Sequence, residues 1–419
     1  MPEYAAGAEY DRLRAVRVHT PGPELLSGSL DPETSLFSRP VPPEQARREH
    51  RRMIAAFERE GVEVHQMADD LAAGGALDAL VREAVTVEAR DGARSTAPNV
   101  DAILDRFDNH EKLGLVLSRI QLLERDGDGD GAATNSWGRP EVSPVTSLRF
   151  DRPVSNMYFQ RDHNLLGDRG PIVANMYEAA RQPEIPLVRT AWESVGADVV
   201  HQVTGEPIEG GDFVPAGEFA LVGTSAVVDG EERVLRTSYA AGEQLLAAGA
   251  VGYDEVGLVR APLEAGRAMA DEYGTGTRVL HLDGWFNIPA EGLAVTRKRL
   301  AAAAEVDVYE RRNGEYRKRE TTTVLDYVER KGYDTIHPDW LERWPTNFVT
   351  IADGTVLAIY RDDENGTGEY RPERNHTIET LRERGVEVVP DGTGISPAAL
   401  TSGGGGVHCM TTPLSRGGS

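Results

Sequence analysis

An α/β fold is predicted by three features of this 419-residue chain. Short apolar, β-branched runs alternate with longer stretches whose apolar residues fall at helical spacing. The links between them are short and rich in Asn, Asp and Gly, which places polar residues at strand ends. An apolar content of 40% is enough to build a core, yet no apolar run is long enough to span a bilayer.

Taken in order, Arg14–Val18 (RAVRV) is the first strand, and Pro21-Gly22-Pro23 turns the chain. Pro43–Glu60 is a helix with Ala46, His50, Met53, Ile54 and Phe57 on one face. Gly61 ends it, and Val62–His65 starts the next strand. Residues 71–149 differ in character. Asp78–Glu88, Val100–Asp108 and Lys112–Arg125 have helical spacing, and no strand alternation is visible. A helical insertion over 71–149 is therefore expected within an α/β domain of residues 1–70 and 150–419. The run Asp126 to Gly131 (DGDGDG) has the front half of a calcium loop, but the twelfth position is Trp137 where that loop needs Glu. A solvated acidic loop is the expectation there.

From Asn156 the alternation returns. Leu187–Val200 holds a helix and a strand, and Phe219–Val222 is a strand. Val227–Val234 is a hairpin around Asp229-Gly230, and Thr237–Gly249 is a helix. Val256–Arg260 and Arg278–Leu282 are strands. Glu305–Glu320 is a polar hairpin through Asn313-Gly314, and Val324–Lys331 is a helix. Phe348–Ile351 and Val356–Tyr360 are strands, His376–Arg384 is a helix, and Val386–Val389 is a strand.

The formal charge of −23 disfavours nucleic acid and anionic membranes as partners. Lysine occurs only at Lys112, Lys298, Lys318 and Lys331, so the basic residues are nearly all Arg. An acidic, Lys-poor surface suits high salt, where screening weakens self-repulsion; codon bias is the competing reason. A single cysteine excludes an intramolecular disulfide and fits a reducing compartment. The N-terminus lacks a basic-then-apolar signal pattern. A cytoplasmic protein is expected.

That cysteine, Cys409, lies in GGGGVHCMTTPLSR (Gly403–Arg416) beside His408. A lone cysteine is often a buried core thiol, but a glycine run and a proline-bounded polar flank belong to neither a core helix nor a core strand. A nucleophile is the better reading. Three further polar clusters stand out: Arg161-Asp162 in NMYFQRDHN, Glu209-Gly210-Gly211-Asp212, and His281-Leu282-Asp283. In an extended segment His281 and Asp283 would share a face. Singly, each cluster could be a surface ion pair, a turn or a solvated edge. Together they offer several carboxylates for a cation, a thiolate for an electrophilic carbon and a histidine for proton transfer. A guanidinium satisfies all three, since its planar fork pairs bidentately with carboxylates.

MYFQRD, EGGD, HLDGWF and GGGGVHCMTTPLSR resemble, in order and spacing, the four motifs of the arginine deiminases. RLRAVRVHTPG resembles that family's first strand and turn, and residues 71–149 its helical insertion. The resemblance implies a five-bladed α/β propeller of ββαβ units, the pentein fold. It implies hydrolysis of L-arginine to L-citrulline and ammonia without metal or organic cofactor, in an enzyme expected to be a homo-oligomer.

Carried over by position, Cys409 would attack the guanidinium carbon, and Asp162 and Asp283 would bind its nitrogens. His281 would protonate the departing ammonia and then activate water, with Glu209 shuttling protons and holding charge. Asn156, Arg181 and Arg236 would read the amino-acid end of the substrate. Asp212 would contact that end or buttress Glu209, and His408 would tune the nucleophile. Gly404 stands where many members of the family have an arginine, which opens the question of the preferred substrate. Carboxylates near Cys409 should raise its pKa and a bound guanidinium should lower it, so ionisation on substrate binding is expected. The alternatives are an amidinotransferase or another guanidine hydrolase on the same fold, a non-catalytic arginine sensor, and an acyl hydrolase of papain type. The last would leave Glu209 and Asp162 without a purpose.

Overall fold

The computed structural model describes residues 3–89, 92–124, 145–150, 152–360, 370–390 and 394–417. Asp126 to Gly131 and Trp137 fall outside these ranges. Among the described residues, five sheets share one connectivity. Two strands pair antiparallel, and a third joins parallel to the second after a helical crossover.

The first such unit pairs Thr412–Arg416 with Leu13–Val18, and the helix Pro43–Arg59 leads on to Glu63–Gln66. The second runs Asn164–Gly167, Gly170–Val173, helix Glu184–Ser194, His201–Gln202. The third runs Phe213–Pro215, Phe219–Thr224, helix Tyr239–Ala248, Glu255–Arg260. It is extended by the hairpin of Glu305–Arg312 and Glu315–Thr323. The fourth is Phe286–Ala290, Leu293–Thr296 and Asp334–Ile336, reached through helices Lys298–Ala303 and Val324–Arg330. The fifth is Val349–Ala352, Thr355–Leu357, helix His376–Glu383, Glu387–Val389.

The second strand of three of these units, Gly170–Val173, Phe219–Thr224 and Leu293–Thr296, is buried at every residue. This is why these strands read as continuous apolar runs rather than alternations. The helix Pro43–Arg59 lays Met53, Ala56 and Phe57 on Leu13, Val16 and Val18. Met53 and Phe57 are fully buried, and such side chains each contribute about 1.5–3 kcal/mol.

Three expectations need correction. The segment expected to be helical does hold helices Leu77–Ala84, Val100–Arg106 and Asn109–Ser118. It also holds a four-stranded sheet of Arg94–Thr96, Thr86–Glu88, Ile120–Glu124 and Val145–Phe150. Two of those strands have three residues each, too short to show an alternation. Arg278–Leu282 is not a strand. Arg278 takes φ +54, and Leu282–Gly284 is a 3-10 turn. His281 and Asp283 therefore do not share an extended face. By contrast, the hairpin turn Asp229-Gly230 has both residues at positive φ, as a two-residue turn of that composition requires.

Candidate active site

Each of the five units opens with a polar loop immediately upstream of its first strand. Asp162 precedes Asn164, Glu209–Asp212 precedes Phe213, and His281–Asp283 precedes Phe286. Asn347 precedes Val349, and Cys409 precedes Thr412. Three of these loops line one cavity of about 330 Å³ through Cys409, His281, Asp283 and Asn347, and the loops of Asp162 and Glu209 reach it only through His281.

Cys409 is 7% exposed. Its Sγ lies 3.2 Å from Asn347 Nδ2, which donates to it, and 3.5 Å from Asp283 Oδ2. Asn347 Oδ1 accepts the Cys409 backbone N–H at 3.3 Å, so one side chain holds both ends of the nucleophile. Burial pushes the Cys409 thiol well above its usual value. Asp283 and Asp162 push the same way, against the Asn347 hydrogen bond. The resting group is a thiol.

His281 Nε2 donates to Glu209 Oε2 at 2.9 Å, and its Nδ1 faces Asp162 Oδ1 at 3.8 Å. Burial opposes a charged ring. Asp162 and the hydrogen bond to Glu209 outweigh it and hold the His281 pKa up at about 10. Burial likewise opposes ionisation of Glu209, but the His281 hydrogen bond and charge bring its pKa well below the usual carboxylate value. Gly211 has no side chain because a Cβ would come within 2.8 Å of the His281 ring. Asp162 Oδ1 is buried and has no hydrogen-bond partner among the described residues. A buried acceptor left open in this way is unusual and marks a place for a donor. Asp162, Glu209 and His281 lie within 4.8 Å of one another, a spacing a metal could bridge. A metal there would have to displace a proton that His281 holds to about pH 10.

Residues 33–416 match the family model described as arginine deiminase. The chain belongs to the arginine deiminase family. The arginine deiminase of Halobacterium salinarum is 32% identical over 98% of this chain and 96% of its own length. Among solved structures, DDAH from Pseudomonas aeruginosa, in complex with citrulline, superposes with a TM-score of 0.52. It covers 96% of this chain and 98% of its own at 14% identity. An amidinotransferase of saxitoxin biosynthesis from Microseira wollei gives 0.51 over 100% and 98%, also at 14%. These two likenesses show a shared mixed α/β fold.

The remaining residues that sequence pointed to in this deiminase-family chain lie around the cavity with other neighbours than expected. Arg181 is buried and does not line the cavity. It pairs with Asp162 Oδ2 at 2.5 Å and with Glu184 at 3.0 Å, and it donates to the Phe159 carbonyl. Two carboxylates of the protein share its charge, and through one of them Arg181 holds Asp162 in place. The Asn156 side chain donates to Ser35 O, and its carbonyl accepts from Phe159 N and Arg181. Asn156 thus also serves the frame. His408 is fully buried, with Nδ1 at 2.8 Å from Asp283 Oδ2 and Nε2 at 3.4 Å from Glu9. It does not line the cavity, and its hydrogen bond fixes Asp283.

Asp212 accepts from Thr237 Oγ1 at 2.6 Å and from Leu282 N at 2.9 Å, and burial raises its pKa to about 6. Thr237 Oγ1 in turn accepts the Glu209 N–H at 3.2 Å. Asp212 is therefore the buttress, tying the Glu209 loop to the His281 loop. Arg236 approaches Glu209 Oε1 and Glu178 Oε1, each at 3.7 Å, so it meets the other carboxylate oxygen of Glu209 from the one His281 holds.

Sequence reasoning missed Asn347 and Glu9. Asn347 had a signal in the unit count: it occupies, in the fifth unit, the place that Asp162, Glu209, His281 and Cys409 occupy in theirs. Replacing it with Ala removes a hydrogen bond to the developing thiolate, worth about 1.5–3 kcal/mol. The kcat/KM for L-arginine is expected to fall about 10–100-fold, and alkylation of Cys409 should shift to higher pH. Unchanged alkylation kinetics would show that Asn347 does not hold the sulfur.

Proposed function

We propose that the chain hydrolyses L-arginine to L-citrulline and ammonia through an amidino adduct on Cys409. The observation that carries this reading is the open, buried Asp162 Oδ1 beside an imidazolium and a thiol. A guanidinium supplies the missing N–H donors to Asp162 and Asp283. Its charge beside Sγ favours the thiolate, and the thiol proton leaves through Asp283, 3.5 Å away. Sγ then bonds to the guanidinium carbon. His281 gives its proton to the departing nitrogen, which leaves as ammonia, and the neutral ring takes a proton from water. The hydroxide formed attacks the amidino-thioether and expels the thiolate, which leaves citrulline. Glu209 keeps the imidazole aligned and stabilises its charged form.

Family membership supports this reaction. The five ββαβ units support a five-bladed propeller with the cavity on its axis, and residues 71–149 then form a subdomain inserted between the first unit and the second. The charge of −23 and the scarcity of Lys support a protein of saline cytoplasm.

The test is an end-point assay of the purified protein with L-arginine at low and multimolar salt, quantifying citrulline and ammonia together. Equal amounts are expected. Arginine binding with no citrulline under either condition would refute the reading and turn attention to acceptor amines.

A further inference from the structure

Between the inserted segment and the second unit lies a cavity of about 500 Å³, within the usual range for a small-molecule site. Helix Leu77–Ala84 contributes Leu80 and Glu83, and helix Asn109–Ser118 contributes Val116. Helix Glu184–Ser194 contributes Pro186 and Leu187, with Pro183 at its N-cap. The sheet of the inserted segment contributes Thr86, Arg94 and Gln121. None of these residues takes part in the chemistry at Cys409.

Gln121 is 8% exposed, and its Oε1 is buried with no hydrogen-bond partner among the described residues. A buried acceptor left open costs stability, and a ligand's N–H would remove that cost. Thr86 is the register partner of Gln121 in the parallel pair of Thr86–Glu88 with Ile120–Glu124, so the two side chains stand on one face of the sheet. Arg119, at the C-cap before that strand, is held at φ +48 and also lines the cavity. The lining carries both signs of charge. Arg94 and Arg119 share it with Glu83, and Glu88 lies 3.3 Å from Arg94. The opposite wall of Leu80, Val116, Pro183, Pro186 and Leu187 is apolar.

We infer that this cavity binds a free α-amino acid with an apolar side chain, and that its occupancy tightens the hold on L-arginine at Cys409. The binding is independent of the deiminase reading, and the coupling rests on it. A zwitterion matches a lining of both signs. Its carboxylate meets the arginines, its ammonium supplies the N–H that Gln121 Oε1 lacks, and its side chain covers the prolines and leucines. The coupling follows from what the wall is made of. Pro183, Pro186 and Leu187 belong to the first turn of helix Glu184–Ser194, and Glu184 in the same turn is fully buried against Arg181 and His163. Arg181 in turn holds Asp162. A ligand that braces this turn braces Asp162. The linkage is reciprocal, so L-arginine must tighten the amino acid by the same factor.

The experiment is calorimetric titration of L-leucine into the Cys409→Ala protein, with and without saturating L-arginine, paired with steady-state kinetics of the wild type. L-leucinamide, which lacks the carboxylate, and N-acetyl-L-leucine, which lacks the ammonium, are the controls. L-leucine is expected to bind, with a Kd about 3–10-fold lower when L-arginine is present, and the KM for L-arginine should fall by the same factor in saturating L-leucine. Gln121→Leu and Arg94→Gln should each weaken L-leucine about 3–10-fold, with kcat and KM in its absence unchanged. Arg94 is exposed, so its variant decides the matter even where Gln121→Leu does not fold. Absence of L-leucine binding, equal affinity for either control, or unchanged affinity in Arg94→Gln would overturn the site. Binding without a change in KM would overturn the coupling, and a raised KM would place L-leucine over Cys409 instead. A wild type that binds L-leucine but makes no citrulline would count against the deiminase reading, and the titrations would still decide the site.

Discussion

Replacing Cys409 with Ala is expected to abolish citrulline formation, with a loss of at least about 10⁴-fold in kcat. The adduct needs a sulfur within reach of the guanidinium carbon, and Cys409 is the sole cysteine of the chain. No water held in its place could be displaced to the same intermediate. Binding should survive, because Asp162, Asp283, Glu209 and His281 remain and the resting thiol carries no charge. The structural cost falls on Asn347 Nδ2, which loses its acceptor in a buried site, and on Asp283 Oδ2, which loses the thiol donor. Leaving such a donor open costs about 1–3 kcal/mol, a change visible as a lowered Tm in a protein that stays folded. Retention of more than about 1% of wild-type kcat would refute covalent catalysis by Cys409. Mass spectrometry of wild type quenched during turnover should show the amidino adduct, and Cys409→Ala should show none.

The second large effect falls on His281. Its change to Asn is expected to lower kcat about 10²–10⁴-fold, the range of a lost general acid–base group. The pH behaviour separates this role from simple damage. With the pKa held at about 10 in the free enzyme, the wild-type acid is present across neutral pH, and kcat/KM should fall as pH rises through 10. The residual activity of His281→Asn should lack that alkaline limb.

Stability carries the same signature. The folded pKa lies above the ordinary value of 6.5, so the folded state binds the proton more tightly than the unfolded one. The resulting stability is complete below pH 6.5 and is lost as pH rises through about 10. Wild-type Tm should therefore fall more steeply across this window than the Tm of His281→Asn. Parallel curves would show that the ring is not held charged.

Four of the five loops that open the units were legible in sequence because each carries a reactive or ionisable group next to glycine or a strand end. The fifth was not. Asn347 sits in PTNF, where an amide beside a threonine looks like any turn. What marks it is its place before Val349, and that becomes visible only once the repeating unit is known. The surroundings of the arginines were hidden for a different reason. Position pointed Arg181 at the substrate, but which carboxylates fold against a cation depends on the fold, and Glu184 and Asp162 lie there. Arg278–Leu282 was read as a strand, and left-handed Arg278 breaks that reading without any glycine to announce it.

The short strand Thr412–Arg416 pairs with Leu13–Val18, at the opposite end of the sequence. On the ribosome, Leu13 is made early and Arg416 follows nearly everything it will touch. Cys409 enters the site only when that late strand docks, because Arg161 N–H binds the Cys409 carbonyl and Arg416 reaches Glu9 and Thr350. Closing so long a loop costs entropy that grows only as the logarithm of its length. A nascent chain can therefore complete four of its sheets, with their carboxylates and imidazole in place, and still be chemically silent. Reactivity arrives in a single late event.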